Sequence, residues 1–336
     1  VKNQHELKKY TTAGGRTVYL LPVEAFPNHV TNCYLVESEK LTLIDCASGI
    51  GASNQGLDEA FEHLNEQFDE KYSLADVELL ILTHGHIDHF GGMNYVVENS
   101  DADVAIHALD ASVINNFDER LIVATKNLYV YLHRAGASKE QVDELLHMHK
   151  WSKGVFHPTR DMRTFEEGPI EGTGFIAHHA PGHCPGQVCL QLDDILFTAD
   201  HVLSYTTPTQ SPEFIYRWTG LGHYFEALRK VRAIDDIRLG LGGHEDEMDD
   251  VPSRINDIIA FHEKRLAKTL AICDRPKTIQ EISLDLFGER KEYHILLAFL
   301  ETGAHVEYLY ERGQLSVANV KEIEHEVNPV LRYVQA

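Results

Sequence analysis

The chain has 336 residues, 43% hydrophobic and 24% charged, which suits one large globular domain or a large one plus a small one. A formal charge of −22 argues against nucleic acid or an anionic membrane surface as a general partner, because phosphate contacts need a basic footprint. Five cysteines in no paired pattern, no apolar run near the roughly 18 residues of a membrane helix, and no apolar signal region in VKNQHELKKY set the expectation of a soluble, cytoplasmic protein with no membrane partner.

The first third reads as strands: RTVYLLPV, VTNCYLVES and KLTLIDC are short, apolar or β-branched, and bounded by turn formers. IGASNQGLDEAFEHLNEQF has helical apolar spacing, and VELLILT is a continuous apolar run suited to a buried strand. GGMNYVVENS predicts a helix and DVAIHA another strand. This alternation predicts an α/β layered architecture. From about Ser112 to Lys150 the spacing predicts two inserted helices, the second capped by Ser138. Strands resume at GFIAHHA, VCLQLDD and ILFTAD, followed by a helix at FEALRKVRAI and a last strand at IRLGLGG. Beyond about Pro252, helices are predicted at RINDIIAFHEKRLAKTLAICD, TIQEISLDLF and EYHILLAFLETGAHVEYLYERG, with QLSVANV and NPVLRYV as a terminal hairpin. The expected division is therefore 1–252 and a small, mostly helical 253–336.

The segment 83–92, THGHIDHFGG, follows directly on the buried run VELLILT. His84 and His86 are two apart, so in an extended loop they point the same way. Asp88 and His89 are adjacent, so in such a loop they diverge and can address a neighbouring point. One ion cannot easily take all four from so short a segment, whereas two ions a few ångströms apart can share them. Imidazole and carboxylate are the usual ligands of Zn²⁺ and similar ions. Polar residues gathered at the carboxyl end of a strand mark sites in α/β proteins. Three later strand ends add ligand types: His183 in HHAPGHCPG, Asp200 in ILFTAD and His244 in IRLGLGGHED.

In that order, THGHIDHFGG, APGHCPG, LFTAD and GGHE resemble the metallo-β-lactamase superfamily, over roughly residues 16–250. HxHxDH is the form seen in its dinuclear hydrolases, such as glyoxalase II-like thioesterases and lactonases. VTNCYLV and LIDCASG resemble the family's early strands and place Asp45 at the acidic position of its first motif. The resemblance implies an αββα sandwich with a helical lid insertion at about 112–150. It implies that His84, His86 and His183 hold a first metal, that Asp88, His89 and His244 hold a second, and that Asp200 bridges them. Asp45 would orient a ligand histidine by hydrogen bonding. The cofactors implied are two divalent ions, zinc first, with iron or manganese accepted by the same ligands. The chemistry implied is attack by a bridging hydroxide on a small ester, thioester or lactone, with Asp88 also orienting the nucleophile or shuttling a proton. Cys184 departs from the Thr or Ser common after the ligand histidine and is read as filler rather than as a nucleophile.

The aromatic stretch HVLSYTTPTQSPEFIYRWTGLGHYFEAL makes Tyr205 a candidate substrate contact that could donate to the oxyanion, with His223 and Tyr224 as similar, weaker candidates. His201 is a candidate neighbour of the ligands, whereas His107, His178 and His179 read as strand positions and His133, His147, His149 and His157 as part of the insertion. The tail resembles the winged-helix-like C-terminal domain of β-lactamase-like proteins related to an endoribonuclease branch. Its acidic character sets packing against the hydrolase domain or a homodimer partner above nucleic acid. The competing functions are a phosphodiesterase or endoribonuclease of the same fold and an iron-dependent dioxygenase. The partner expected is a small-molecule substrate.

Overall fold

The structure, a computed structural model, describes residues 6–150, 154, 156–157 and 161–336. Its first sheet starts antiparallel: β1 (Lys8–Thr11) pairs with β2 (Thr17–Phe26), β2 with β3 (His29–Glu37) and β3 with β4 (Leu41–Ile44). After helix α1 (Ser53–Phe68) the pairing becomes parallel, β5 (Leu79–Leu82) lying beside β4. Helices α2 (Ile87–Phe90) and α3 (Met93–Asn99) lead to β6 (Asp103–His107), which joins β5. Then come α4 (Ala108–Asn115), α5 (Phe117–Arg134) and α6 (Lys139–His149), before β7 (Arg163–Phe165) closes the sheet beside β6. The second sheet is an antiparallel run of β8 (Gly168–Pro169), β9 (Ile176–His179), β10 (Val188–Leu192) and β11 (Ile195–Ala199). After α7 (Leu221–Arg232), β12 (Leu239–Gly242) adds parallel to β11.

Burial follows from this pairing. β5 reads LLIL and all four residues are buried, because it has parallel neighbours on both edges and is covered on both faces. In β2 the faces alternate. Val18 and Leu20 join a core with Tyr34, Ile44 and Ile81 of the first sheet and with Phe175, Leu190, Phe197 and Leu241 on the side of the second. On the other face Tyr19 meets Phe68 of α1, ring centroids 5.6 Å apart, which places a helix outside the sheet. Each large apolar side chain buried between the sheets contributes about 1.5–3 kcal/mol. The layered α/β architecture expected from the alternation of strands and helices, and the sandwich implied by the family resemblance, are thus observed.

Tyr34 ties this core to the end of β12. Its ring meets Phe197 edge-on at 5.2 Å, and its hydroxyl donates to the Gly242 carbonyl at 2.6 Å. That carbonyl also accepts from Asn32 Nδ2 at 3.2 Å, so removing the hydroxyl does not orphan it. Tyr34→Phe is therefore expected to cost only about 1 kcal/mol in chemical denaturation.

The chain divides into two compact units: Val1–Asn115, His157–Pro208 and Ala227–Ile255 form the first, and Asn116–Phe156, Thr209–Glu226 and Asn256–Ala336 the second. This differs from the division expected from sequence, which keeps the inserted helices with 1–252. The reason is hydrogen bonding inside the second unit, whose last elements are α8 (Val251–Ile272, begun in the first unit), α9 (Ile279–Phe287), α10 (Tyr293–Glu311), β13 (Leu315–Val317), α11 (Val320–Ile323) and β14 (Tyr333–Gln335). Tyr131 of α5 donates to the Phe299 carbonyl of α10, Gln280 N to the Ala135 carbonyl at 2.9 Å, and Leu331 N to the Arg134 carbonyl at 2.9 Å. The capping box at Ser138 is present: its hydroxyl accepts from Gln141 N at 3.3 Å and its own N–H donates to Gln141 Oε1 at 2.9 Å. β13 and β14 pair antiparallel as expected, with α11 in their connection.

Candidate metal centre

Every residue of the expected ligand set lies just past the carboxyl end of a strand in the first unit. Asp45 follows β4, the 83–89 segment follows β5, His183 lies in the β9–β10 connection, Asp200 follows β11, and His244 lies two residues past β12. His86 is extended (φ −91°, ψ 140°) and caps the single turn of α2. His84 and His86 therefore point together, His84 Nε2 standing 3.1 Å from His86 Nδ1. Asp88 and His89 sit on that helical turn rather than in an extended loop. Their tips converge, with Asp88 Oδ2 3.7 Å from His89 Nε2.

The remaining spacings repeat the same scale. His89 Nε2 is 3.3 Å from His244 Nε2. Asp200 Oδ1 is 3.5 Å from both of those nitrogens, and its Oδ2 is 3.6 Å from His183 Nε2. Asp88 Oδ2 is 3.6 Å from His244 Nε2. Ligands at about 2.0–2.2 Å from a tetrahedral ion lie roughly 3.3–3.6 Å from one another, so this donor set fits divalent cations. Asp200 Oδ1 is buried and has no hydrogen-bond partner, as an oxygen reserved for a cation would be. The atoms that can share an ion fall into overlapping groups: His84, His86 and His183; His84, His89 and Asp200; and His29, Asp88 and His244.

The outer hydrogen bonds aim the nitrogens. Thr83 Oγ1 donates to Asp45 Oδ2 at 2.8 Å, so it accepts from His84 Nδ1 at 3.0 Å and leaves Nε2 a lone pair. His89 Nδ1 donates to the same Asp45 oxygen at 2.8 Å, and His244 Nδ1 to the Val30 carbonyl at 2.6 Å, with the same consequence. Asp45 Oδ1 accepts from Thr83 N at 2.8 Å. Asp45 is thus shared by two of the imidazoles. Asp45→Asn is expected to weaken cation binding about 10–100-fold in calorimetric titration of metal-stripped protein, with the fold retained. Asp45, Ala199 and Glu245 carry φ of 57°, 46° and 68°, a left-handed conformation that side chains other than glycine seldom adopt. The strain falls beside His89, Asp200 and His244, as is common where a site dictates backbone geometry.

The charges divide the cluster. Burial, helped by His89 and His86, holds His84 well below the usual imidazole range. Burial, then His183, brings His86 to about 3. Both are neutral donors. Burial opposes charge on His89, but Asp200, Asp88 and Asp45 outweigh it and lift the ring to about 9. The same contest, decided chiefly by Asp200, raises His244 well above its ordinary value. Burial pushes Asp88 and Asp200 up, yet His89 beside the first and His244 beside the second hold both well below the carboxylate range. A cation entering between these carboxylates therefore displaces protons from the rings.

Other expected residues lie elsewhere. Tyr205 is 56% exposed, and its backbone N–H donates to Glu245 Oε2 at 2.6 Å, beside His244. His223 lies in the second unit, 3.4 Å from Glu213 and against Trp218, and Tyr224 is buried there. His201 is buried next to Asp200, and burial brings it to about 3. His178 and His179 pair within β9–β10, and His179 stacks on His107 at 4.2 Å. The Cys184 thiol is buried, well above its usual range, and donates to Asp110 at 3.4 Å, which is no setting for a nucleophile.

Two residues escaped the sequence reading. His29, at the tip of the β2–β3 hairpin, places Nε2 2.9 Å from Asp88 Oδ2 and its ring 4.5 Å from that of His244. Its only signal was its place directly before VTNCYLV. Asp110 carries no local signal at all. A further buried group in the second unit, His262, Glu301 and His305, has the residue types of a metal site. Its carboxylate is already engaged by Arg265 and by Gln210 N at 2.8 Å, and the rings hydrogen-bond each other at 3.2 Å, so both carboxylate oxygens are taken and only His262 Nε2 is left without a partner.

Two facing sheets with histidines and aspartates converging at their strand ends define a metallo-hydrolase scaffold. The family model for the metallo-beta-lactamase superfamily matches residues 27–252, and the chain belongs to that superfamily. A metallo-beta-lactamase family protein from Thermus thermophilus superposes with a TM-score of 0.75 at 26% identity, covering 95% of this chain and 98% of that one. The chain is 23% identical to a probable metallo-hydrolase, YqjP, of Bacillus subtilis, over 82% of its own length and 86% of that protein. It is 29% identical to an atrochrysone carboxyl ACP thioesterase, AgnL7, of Paecilomyces divaricatus, but over 45% of its own length and only 48% of the thioesterase. No helix of the described residues is long and apolar enough to cross a membrane.

Proposed function

We propose that the chain is a two-cation hydrolase of a small ester, thioester or lactone. His84, His86 and His183 would hold one divalent ion and Asp88, His89 and His244 the other, with Asp200 placed to serve both. The observation that carries this is the spacing of the seven donor residues, from 3.1 to 3.7 Å tip to tip, with Asp200 splitting its two oxygens between His183 on one side and His89 and His244 on the other. Two such ions would supply an activated water near neutral pH and polarise the acceptor carbonyl. The chain's own groups supply the rest. Thr83, Asp45 and Val30 keep the ring protons on the outer nitrogens, so the inner ones face the reaction. Asp88 is the carboxylate of the set that also meets an exposed side chain, His29, so a proton taken up at Asp88 Oδ2 can leave through His29 Nε2. The exposed ring of Tyr205, on a segment tied to Glu245, is a candidate contact for the substrate.

The name of the thioesterase relative supports an acyl substrate, that of the metallo-hydrolase relative supports metal-dependent hydrolysis, and the charge of −22 disfavours RNA. The test is turnover of a panel of acyl thioesters, esters and lactones beside single-stranded RNA and a phosphodiester, with oxygen uptake followed in parallel. Acyl turnover that stops on chelation supports the proposal. RNA cleavage or oxygen consumption without acyl turnover overturns it.

A further inference from the structure

We infer that Asp110 is a positioning residue that sets the three imidazoles of the first cation by holding, with one carboxylate, both loops that carry them. The inference rests on the two-cation reading. Asp110 lies in the first turn of α4, just past β6, whose parallel pairing with β5 brings it against the 83–89 segment. It is fully buried. Its Oδ2 accepts from Gly85 N at 2.7 Å, and Gly85 is the residue between His84 and His86. Its Oδ1 accepts from Gly186 N at 2.8 Å, three residues past His183. Cys184 adds its thiol to Oδ2 at 3.4 Å. One side chain thus clamps loops 25 and 76 residues away, and both carry ligands of the same ion.

The glycines argue the same point independently. Neither Gly85 nor Gly186 has a left-handed φ, so the backbone itself does not demand glycine at either place. What demands it is the carboxylate. A Cβ on Gly186 would lie 2.6 Å from Asp110 Cγ, and one on Gly85 3.3 Å from it. Both loops lack a side chain where Asp110 approaches their amides. A carboxylate suits the position because it offers two acceptor oxygens in fixed geometry, whereas an amide offers one. No Lys or Arg among the described residues pairs with it, and burial lifts it to about 6 against the pull of its three donors. A group that costs stability in this way is best explained by the geometry it imposes. Asp45 has the matching part for His89 and, through Thr83, for His84. Asp110 touches no imidazole: the amides it holds lie between His84 and His86 and just past His183, whereas Asp88 and His89 follow on the α2 turn beyond the first of them.

The test is competitive zinc titration of the full-length, metal-stripped protein, with the His183→Ala and His244→Ala variants marking the first and second sites. Asp110→Ala should retain one site at wild-type affinity, weaken the other about 10–100-fold, and match the His183→Ala pattern rather than that of His244→Ala. Asp110→Asn should fall between, because one acceptor survives. Gly186→Ala, which keeps the carboxylate and displaces it from one amide, should reproduce the selective loss and serves if Asp110→Ala does not fold. Unchanged affinity at both sites, or equal weakening of both, in the folded variants overturns the inference. Wild-type protein that takes up no zinc would instead refute the two-cation reading.

Discussion

Asp200→Ala is expected to lower turnover of the proposed acyl substrate by at least about 10³, some 4 kcal/mol of transition-state stabilisation, while the protein stays folded. Asp200 is the residue of the set placed between the two halves. Its Oδ1 stands 3.5 Å from His89 Nε2 and His244 Nε2, and its Oδ2 3.6 Å from His183 Nε2. In the proposed two-cation site, deleting it would take an oxygen from each ion, and it removes the charge that most strongly raises His89 and His244. Asp88 remains beside both rings, so the pocket is not left with uncompensated cations and the fold should survive. Metal analysis should show the content falling from two equivalents to one or fewer. Asp200→Asn keeps the shape and one acceptor but loses the charge, so it should recover little. Circular dichroism on the same samples separates this from unfolding. Turnover within tenfold of wild type, with two ions still bound, would contradict the bridging role.

The donors were legible in the sequence because they share one kind of address. Each sits past a short apolar strand, and apolar runs such as VELLILT and ILFTAD are recognisable without a structure. His84 and His86 also carry their relation in their spacing, since an extended segment puts alternate residues on one side. In an extended loop the adjacent Asp88 and His89 are expected to diverge, and their convergence depends on a helical turn that four residues cannot announce. Asp110 and His29 fall outside this logic. Asp110 acts on amides 25 and 76 residues away, a meeting that exists only once β6 lies beside β5. His29 reaches Asp88 across 59 residues from a hairpin tip. The edge strands β1 and β7, KKYT and RTF, are short and half exposed, so they show neither alternation nor a buried run. The helices of the second unit were readable from their 3.6-residue spacing, but a helix's apolar stripe does not name its partner. The partner of α5 is written in single contacts such as that of Tyr131 with the Phe299 carbonyl. That is why sequence order alone groups the inserted helices with a different neighbour.

Stripping the ions should have the second large effect, on stability as well as on rate. A cation that binds the folded chain at a free concentration a hundredfold above its dissociation constant stabilises it by about 2.7 kcal/mol, so two contribute roughly 5 kcal/mol. For a unit of 150–250 residues each kcal/mol moves the melting temperature by about 2–4 °C, so dialysis against a chelator should lower it by roughly 10–20 °C. The loss should fall on the first unit, which contains all seven donors. The second unit's His262, Glu301 and His305 have their carboxylate bound by Arg265 and offer an incoming ion no free oxygen of this kind. If the two units melt in separate steps, calorimetry should show one step shifting and the other fixed. Activity should vanish with the ions and return on adding zinc, manganese or iron, and the metal that restores the highest rate at the lowest concentration identifies the working cofactor. Protein stripped below a tenth of an equivalent that melts and turns over as before would sink the metal-dependent reading altogether. A shift confined to the second unit's step would instead move the metal to the wrong cluster, and with it the assignment of the site.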